Sequence, residues 1–197
     1  MIAIVDYGVG NVRSVERALA HVGAEVRITA DPAQLETAAG IVLPGVGAFA
    51  PALAKLSEEG LGRLIVELAR GGKPVLGVCL GYQLLFDESE EHGRHEGLGL
   101  LPGRVIKVTT SERVPVIGWC RTRQTASSPL WEGIADYAYF YFVHSYTPEA
   151  SAESIGSTDH SPAAAAGKRN VMGTQFHPEK SGPDGLRLYA NFLALCA

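Results

Sequence analysis

The chain has 197 residues, enough for one sizeable core at roughly 100 to 200 residues per domain, so residues 1–197 are expected to form a single domain. Its 46% hydrophobic and 19% charged residues exclude disordered and fibrous classes, and a formal net charge of −4 offers no long-range attraction to nucleic acid or anionic membranes. Asp6 puts a carboxylate too early for a signal-peptide core and no apolar run approaches a membrane span, so a cytoplasmic location is expected, with Cys79, Cys120 and Cys196 as free thiols.

Residues 2–6 read as a strand, and Val12, Val15, Leu19 and Val22 then recur at helical spacing until Gly23 stops the helix. A second strand-like run, 25–29, leads to a helix start at Asp31-Pro32. A third, 40–43, ends at Pro44-Gly45-Val46-Gly47. Helical patterns over 49–56 and 61–69 precede residues 74–78, which read as a fully buried strand followed by a helical pattern at 83–86. Repeated βα units of this length predict an α/β fold with a mostly parallel central sheet and helices on both faces. The charged stretch 87–97 reads as a solvated loop. Beyond it, 104–109, 137–144, 154–158, 163–167 and 171–176 are strand-like and predict antiparallel additions to the sheet in the C-terminal half, closed by a packed helix over 185–195.

Cys79 stands in Gly77-Val78-Cys79-Leu80-Gly81, directly after the buried strand, which matches the small-x-nucleophile-x-small plan of a strand-to-helix elbow. Glycines permit a strained turn that lifts one side chain clear of the sheet. A thiol there meets the N–H groups of the new helix, and the Leu80 N–H can donate to an oxyanion. Outside that context, a lone cysteine in a glycine-rich strand end reads as a buried structural residue. The partner base is His177, in Thr174-Gln175-Phe176-His177-Pro178-Glu179-Lys180. Pro178 keeps His177 out of the α region, so an extended backbone is expected to put Glu179 on the same side, in reach of the imidazole. Without the elbow, the same residues read as a loop histidine beside a solvated Glu-Lys pair. His92 and His95 lack a third ligand at suitable spacing, so no metal site and no cofactor is expected; His21 and His160 read as surface residues and Cys196 as part of the terminal helix packing.

The pair GVCLGYQ at 77–83 and TQFHPE at 174–179 resembles the class I (triad) glutamine amidotransferases. DYGVGN at 6–11, LPGVGAF at 43–49, YFVHSY at 141–146 and FHPEKSG at 176–182 narrow the resemblance to the glutaminase subunits of imidazole glycerol phosphate synthases, and the similarity runs over nearly the whole chain. It implies Cys79 as nucleophile, His177 as general base and acid, and Glu179 as its orienting partner. It further implies an oxyanion strand at Gly45, Val46 and Gly47, a substrate contact from Gln83, and backbone recognition of the substrate head group by His144, Ser145 and Tyr146. By the same resemblance Asn11, Trp119, Tyr141 and Lys180 fall at an interface with a (β/α)8-barrel cyclase subunit, in a heterodimer through which ammonia from glutamine is channelled.

Taken without the resemblance, these positions carry plainer readings: a tight turn at 45–47, a surface helix residue at Gln83, an aromatic core strand at 144–146, helix capping by Asn11, core packing of Trp119 and Tyr141, a solvated charge at Lys180. The stretch Pro115-Val116-Ile117-Gly118-Trp119-Cys120 departs from the family's common Pro-His-x-Gly-Trp-Asn at Val116 and Cys120. Two rivals stand beside this reading: the glutaminase subunit of pyridoxal phosphate synthase, whose oxyanion loop usually reads Pro-Gly-Gly, and a non-catalytic amidotransferase-like regulatory module.

Overall fold

A computed structural model describes residues 1–109 and 113–197. The first half alternates strand and helix: β1 (Ile2–Val5), α1 (Val12–His21), β2 (Val26–Thr29), α2 (Pro32–Thr37), β3 (Gly40–Gly45), then α3 (Phe49–Glu58) and α4 (Leu61–Arg70). Asp31 starts α2 as expected, its carboxylate accepting from the Ala33 N–H at 3.0 Å with Pro32 in the first turn. β4 (Val75–Cys79) runs directly into the short α5 (Leu80–Leu84).

The remaining strands are β5 (Phe86–Ser89), β6 (His95–Glu96), β7 (Leu101–Lys107), β8 (Val116–Gln124), β9 (Ala138–His144), β10 (Tyr146–Pro148), β11 (Ser154–Ser157), β12 (Ala165–Lys168) and β13 (Val171–Thr174), and α6 (Gly182–Ala194) closes the chain. The main sheet has the order β2-β1-β3-β4-β13-β12-β11-β8-β9. Its first five strands are parallel and its last four antiparallel, the division expected from the change in pattern along the chain. Strand periodicity separates two cores. Ile2 and Ile4 of β1 pack with Val15 and Leu19 of α1 and Leu188, Tyr189 and Phe192 of α6; Ala3 and Val5 pack with Phe49 and Leu56 of α3 and Leu61 and Ile65 of α4. Helices therefore cover both faces of the parallel region.

Three segments differ from expectation. The helical pattern at 83–86 stops at Leu84, because the carbonyls that would continue it are taken: Leu98 N–H donates to Leu84, and Leu100 and Leu101 N–H donate to Leu85. The chain turns instead into β5. Residues 87–97, expected as a loop, hold most of β5 and all of β6, in a four-stranded second sheet of order β10-β7-β5-β6. Their charges serve that sheet: Asp87 accepts from Gly103 N–H at 2.9 Å, Glu90 from Lys107 N–H at 2.9 Å, and Arg94 pairs with Glu88. β8 has no counterpart among the expected strands. Its inward side carries Val116, Gly118, Cys120 and Thr122, small or polar residues with little apolar alternation to betray a strand. No helix of the described residues is long and apolar enough to cross a membrane.

Candidate active site

The site lies at the C-terminal ends of the parallel strands, where β3, β4 and β13 finish side by side. Cys79 is the last residue of β4 and takes φ 55°, ψ −111°, a positive φ that a non-glycine residue adopts only when its surroundings enforce it. The enforcement comes from glycines on either side. A Cβ on Gly81 would lie 1.8 Å from the Leu43 carbonyl oxygen, and one on Gly77 would lie 2.6 Å from Tyr82 Cα, so neither position admits a side chain. Leu80 opens α5, which leaves its N–H without an intrahelical acceptor.

Segment 175–181 is pinned against β9. His177 N–H donates to the Tyr141 carbonyl at 2.9 Å, and Ser181 Oγ donates to the His177 carbonyl while accepting from Tyr141 N–H at 3.0 Å. His177 itself is extended, as expected, but Pro178–Lys180 form a single 3-10 turn. Glu179 thus reaches back to the imidazole from a turn, because a proline in the first helical position closes the backbone immediately after the histidine. Glu179 Oε1 lies 2.8 Å from His177 Nδ1, both side chains are almost wholly buried, and Tyr189 Oη of α6 donates to Glu179 Oε2 at 3.3 Å. This contact assigns the proton to Nδ1 and leaves Nε2 toward the sulfur. Nε2 is buried with no hydrogen-bond partner in this geometry. Burial pulls the imidazole pKa down, yet the neighbouring Cys79 sulfur and the hydrogen-bonded Glu179 carboxylate outweigh it and hold His177 up to about 10.

The thiol is held by weak contacts: Cys79 Sγ lies 3.9 Å from the Val143 carbonyl and 3.9 Å from Gln175 Nε2. Gln175 belongs to a buried amide chain, since Gln83 Nε2 donates to Gln175 Oε1 at 3.0 Å and to the Tyr146 carbonyl at 2.8 Å. His144 Nδ1 contacts the same carbonyl at 3.0 Å, leaving Nε2 buried and unpartnered; burial chiefly, and the neighbouring His160 and His177, pull its pKa down to about 4 despite that bond. His144 is therefore neutral at physiological pH. Cys120 and Cys196 offer no rival nucleophile: burial, then Asp159, raises the Cys120 thiol pKa, and burial pushes Cys196 up to about 11, its Sγ donating to the Phe192 carbonyl at the end of the terminal helix.

A pocket of about 180 Å3 opens on Cys79 and His177. Val46, Gly47, Leu80, Gln83, His144, Ser145 and Tyr146 all line it. Gly45 does not; it is wedged behind the elbow, where a Cβ would meet Gly81 N at 2.8 Å and Tyr7 Oη at 2.8 Å. Gln83 uses its amide N–H groups on protein partners, so only its oxygen remains to face a ligand. Three residues of the site were not read from sequence: Glu91 and Val143, which line the pocket, and Gln175, which lies outside it. Glu91 lines the wall and its carboxylate accepts from Phe49 N–H at 2.7 Å, tying the second sheet to the end of the Gly45–Gly47 loop; Gln175 stands behind the thiol. Glu91 was hidden in a run of charges with no local signal, whereas Gln175 lay inside the TQFHPE motif.

Trp119 and Tyr141 face each other across β8 and β9, ring centroids 6.2 Å apart, with Lys180 Nζ 5.7 Å above the Tyr141 ring. Trp119 is 54% exposed, which sets aside core packing. Asn11 sits at the N-cap of α1 but makes no side-chain capping bond. Val116 is buried and Cys120 half-buried on the inward side of β8, so the two departures from the common family pattern lie on the opposite side of the strand from the exposed Trp119. Among the described residues, no group of three or more His, Cys, Asp or Glu is arranged to hold a metal ion.

Residues 3–196 match the family model of class-I glutamine amidotransferases. The chain belongs to that family. Among curated relatives, the imidazole glycerol phosphate synthase subunit HisH of Desulfitobacterium hafniense (strain DSM 10664 / DCB-2) is 50% identical over 196 residues, covering 98% of this chain and 93% of the relative. The subunit of the same name from Methanosarcina acetivorans is 47% identical over 201 residues, covering 99% and 98%. A solved structure described as a glutamine amidotransferase superposes with a TM-score of 0.80 at 20% identity, over 100% of this chain and 99% of that one, a likeness of fold.

Proposed function

We propose that this amidotransferase hydrolyses glutamine to glutamate and ammonia through a thioester on Cys79, and that residues 1–197 work as one catalytic domain. The observation that carries the reading is the buried Cys79, His177 and Glu179 set opening on a pocket of amino-acid size. With His177 protonated, the Cys79 thiolate attacks the carboxamide carbon, and the electron pair moves onto the oxygen, toward the N–H groups of Leu80 and the Val46-Gly47 segment. The imidazolium gives its proton to the departing nitrogen, ammonia leaves, and a thioester remains. Neutral His177 then takes a proton from water, the hydroxide opens the thioester, and glutamate departs as the thiolate–imidazolium pair is restored. Glu91 supplies a carboxylate for the substrate's ammonium, while Ser145 and Tyr146 bind its head group through the backbone.

Ammonia protonates in water and loses its nucleophilicity, so such a glutaminase acts beside an acceptor site. The 50% and 47% identity to synthase subunits supports a cytoplasmic heterodimer with a (β/α)8-barrel cyclase, which uses the ammonia to form imidazole glycerol phosphate and an aminoimidazole carboxamide ribotide in histidine biosynthesis. Trp119, Tyr141, Lys180 and Asn11 form the docking face around the exit. The test is glutamate release by the purified chain, alone and with the cyclase and its nucleotide ligand. Strong stimulation by the partner, abolished in Cys79→Ala, is expected; full activity in Cys79→Ala would refute the nucleophile, and absence of stimulation would refute the partner.

A further inference from the structure

Six large apolar side chains are exposed among the described residues, and five of them, Val114, Ile117, Trp119, Tyr137 and Tyr139, lie on or beside the β8–β9 ribbon at the free edge of the main sheet. The outward side of β8 continues past Ile117 and Trp119 to Arg121 and Arg123, two-residue steps along one face. The guanidinium carbon of Arg121 lies 4.9 Å from the centre of the Tyr137 ring, and the Tyr137 backbone is tied to β8 through Asp136, whose carboxylate accepts from both Gln124 N–H and Tyr137 N–H. Both arginines line a hollow of about 300 Å3 together with Ser157 and Thr158. Asp159 lines it too, yet neither arginine makes an ion pair with it or with any other described residue, although the chain carries more carboxylates than cations and pairs Arg13, Arg94, Arg104 and Lys168 within itself.

We infer that Arg121 and Arg123 form a clamp for a carboxylate-bearing surface element of the synthase partner, an Asp or Glu presented by a loop that enters the hollow beside Tyr137. The inference rests on the docking reading above and extends it: an apolar centre at Ile117, Trp119 and Tyr139 passes directly into a cationic rim, the layout of a specific protein interface. A guanidinium fork matches a carboxylate with two parallel hydrogen bonds, and stacking on Tyr137 fixes the Arg121 fork before the partner arrives, so less side-chain freedom is lost on binding.

The test measures association of the intact chain with the cyclase subunit at low and at high salt, for wild type, the double variants Arg121→Glu/Arg123→Glu and Arg121→Gln/Arg123→Gln, and Trp119→Ala. Both arginine variants are expected to bind at least about tenfold more weakly at low salt and to lose most of the wild type's salt dependence, with glutamine hydrolysis by the isolated chain unchanged. If Trp119→Ala weakens association while neither arginine variant alters affinity or its salt response, the clamp is refuted and the docking face stands. If all variants associate like wild type, the docking face itself is wrong and the clamp falls with it.

Discussion

The carboxylate of Glu91 accepts a hydrogen bond from the backbone N–H of Phe49 at 2.7 Å, so one acidic side chain joins the second sheet to the loop beside Cys79. Its free oxygen is available to the pocket it lines. Glu91→Gln keeps an acceptor for Phe49 but removes the charge that is proposed to meet the substrate ammonium. Steady-state kinetics on the assembled synthase are expected to show KM for glutamine raised about 10- to 100-fold with kcat changed much less. A fall in kcat with KM preserved would place Glu91 outside substrate binding.

Among the described residues, Glu179 is the only carboxylate contacting the His177 ring, and its charge helps hold the imidazole well above its ordinary value. Glu179→Gln preserves shape and removes that charge. The His177 titration followed by NMR is expected to move down toward 6.5, and kcat to fall about 10²- to 10⁴-fold. An unmoved His177 midpoint would mean that Cys79 alone sustains the shift.

The two buried histidines near the thiol pull stability in opposite directions. His144, lowered to about 4 from 6.5, stays neutral in the fold while the unfolded chain takes a proton, so stability is lost as pH falls from 6.5 toward 4, by roughly 3 kcal/mol in total. His177, raised to about 10, keeps its proton in the fold after the unfolded chain has released it, so its contribution is complete below 6.5 and is lost as pH rises toward 10. Denaturant unfolding across pH is expected to show a maximum near 6.5. In His144→Phe the acid-side decline should flatten while the alkaline limb persists.

Gly81 has no room for a methyl group, since the added carbon would lie 1.8 Å from a strand carbonyl that cannot swing aside. Gly81→Ala is expected to destabilise the fold by more than about 3 kcal/mol, read as a large drop in the denaturation midpoint. A variant of wild-type stability would show that the elbow can separate from β3.

Much of this was legible in the sequence because it is local. Asp31-Pro32 caps its helix within three residues, the βα units carry their own periodicity, and the Cys79 elbow is written in flanking glycines. The partnership of Cys79 with His177 was not local. It depends on β4 and β13 lying side by side, a pairing that only the order of the sheet decides. β8 escaped notice because its inward residues are small or polar and its outward ones serve a surface, and 87–97 read as solvent-facing because its carboxylates cap backbone N–H groups in a different sheet. The extended path expected from His177 to Glu179 became a 3-10 turn because Pro178 opens it and Ser181, two residues past the TQFHPE stretch, folds back onto the His177 carbonyl.

The contrast between Gly45 and Gly47 sets the mechanical grain of the site. Around Gly45 the chain is jammed against Gly81, Leu80 and Tyr7, whereas a Cβ on Gly47 would find nothing within 4 Å. Two residues apart, the Cβ side of the backbone passes from close-packed to open. In the proposed mechanism the donors for the developing negative charge therefore divide into Leu80, packed at the sheet's edge, and Val46-Gly47, beside open space.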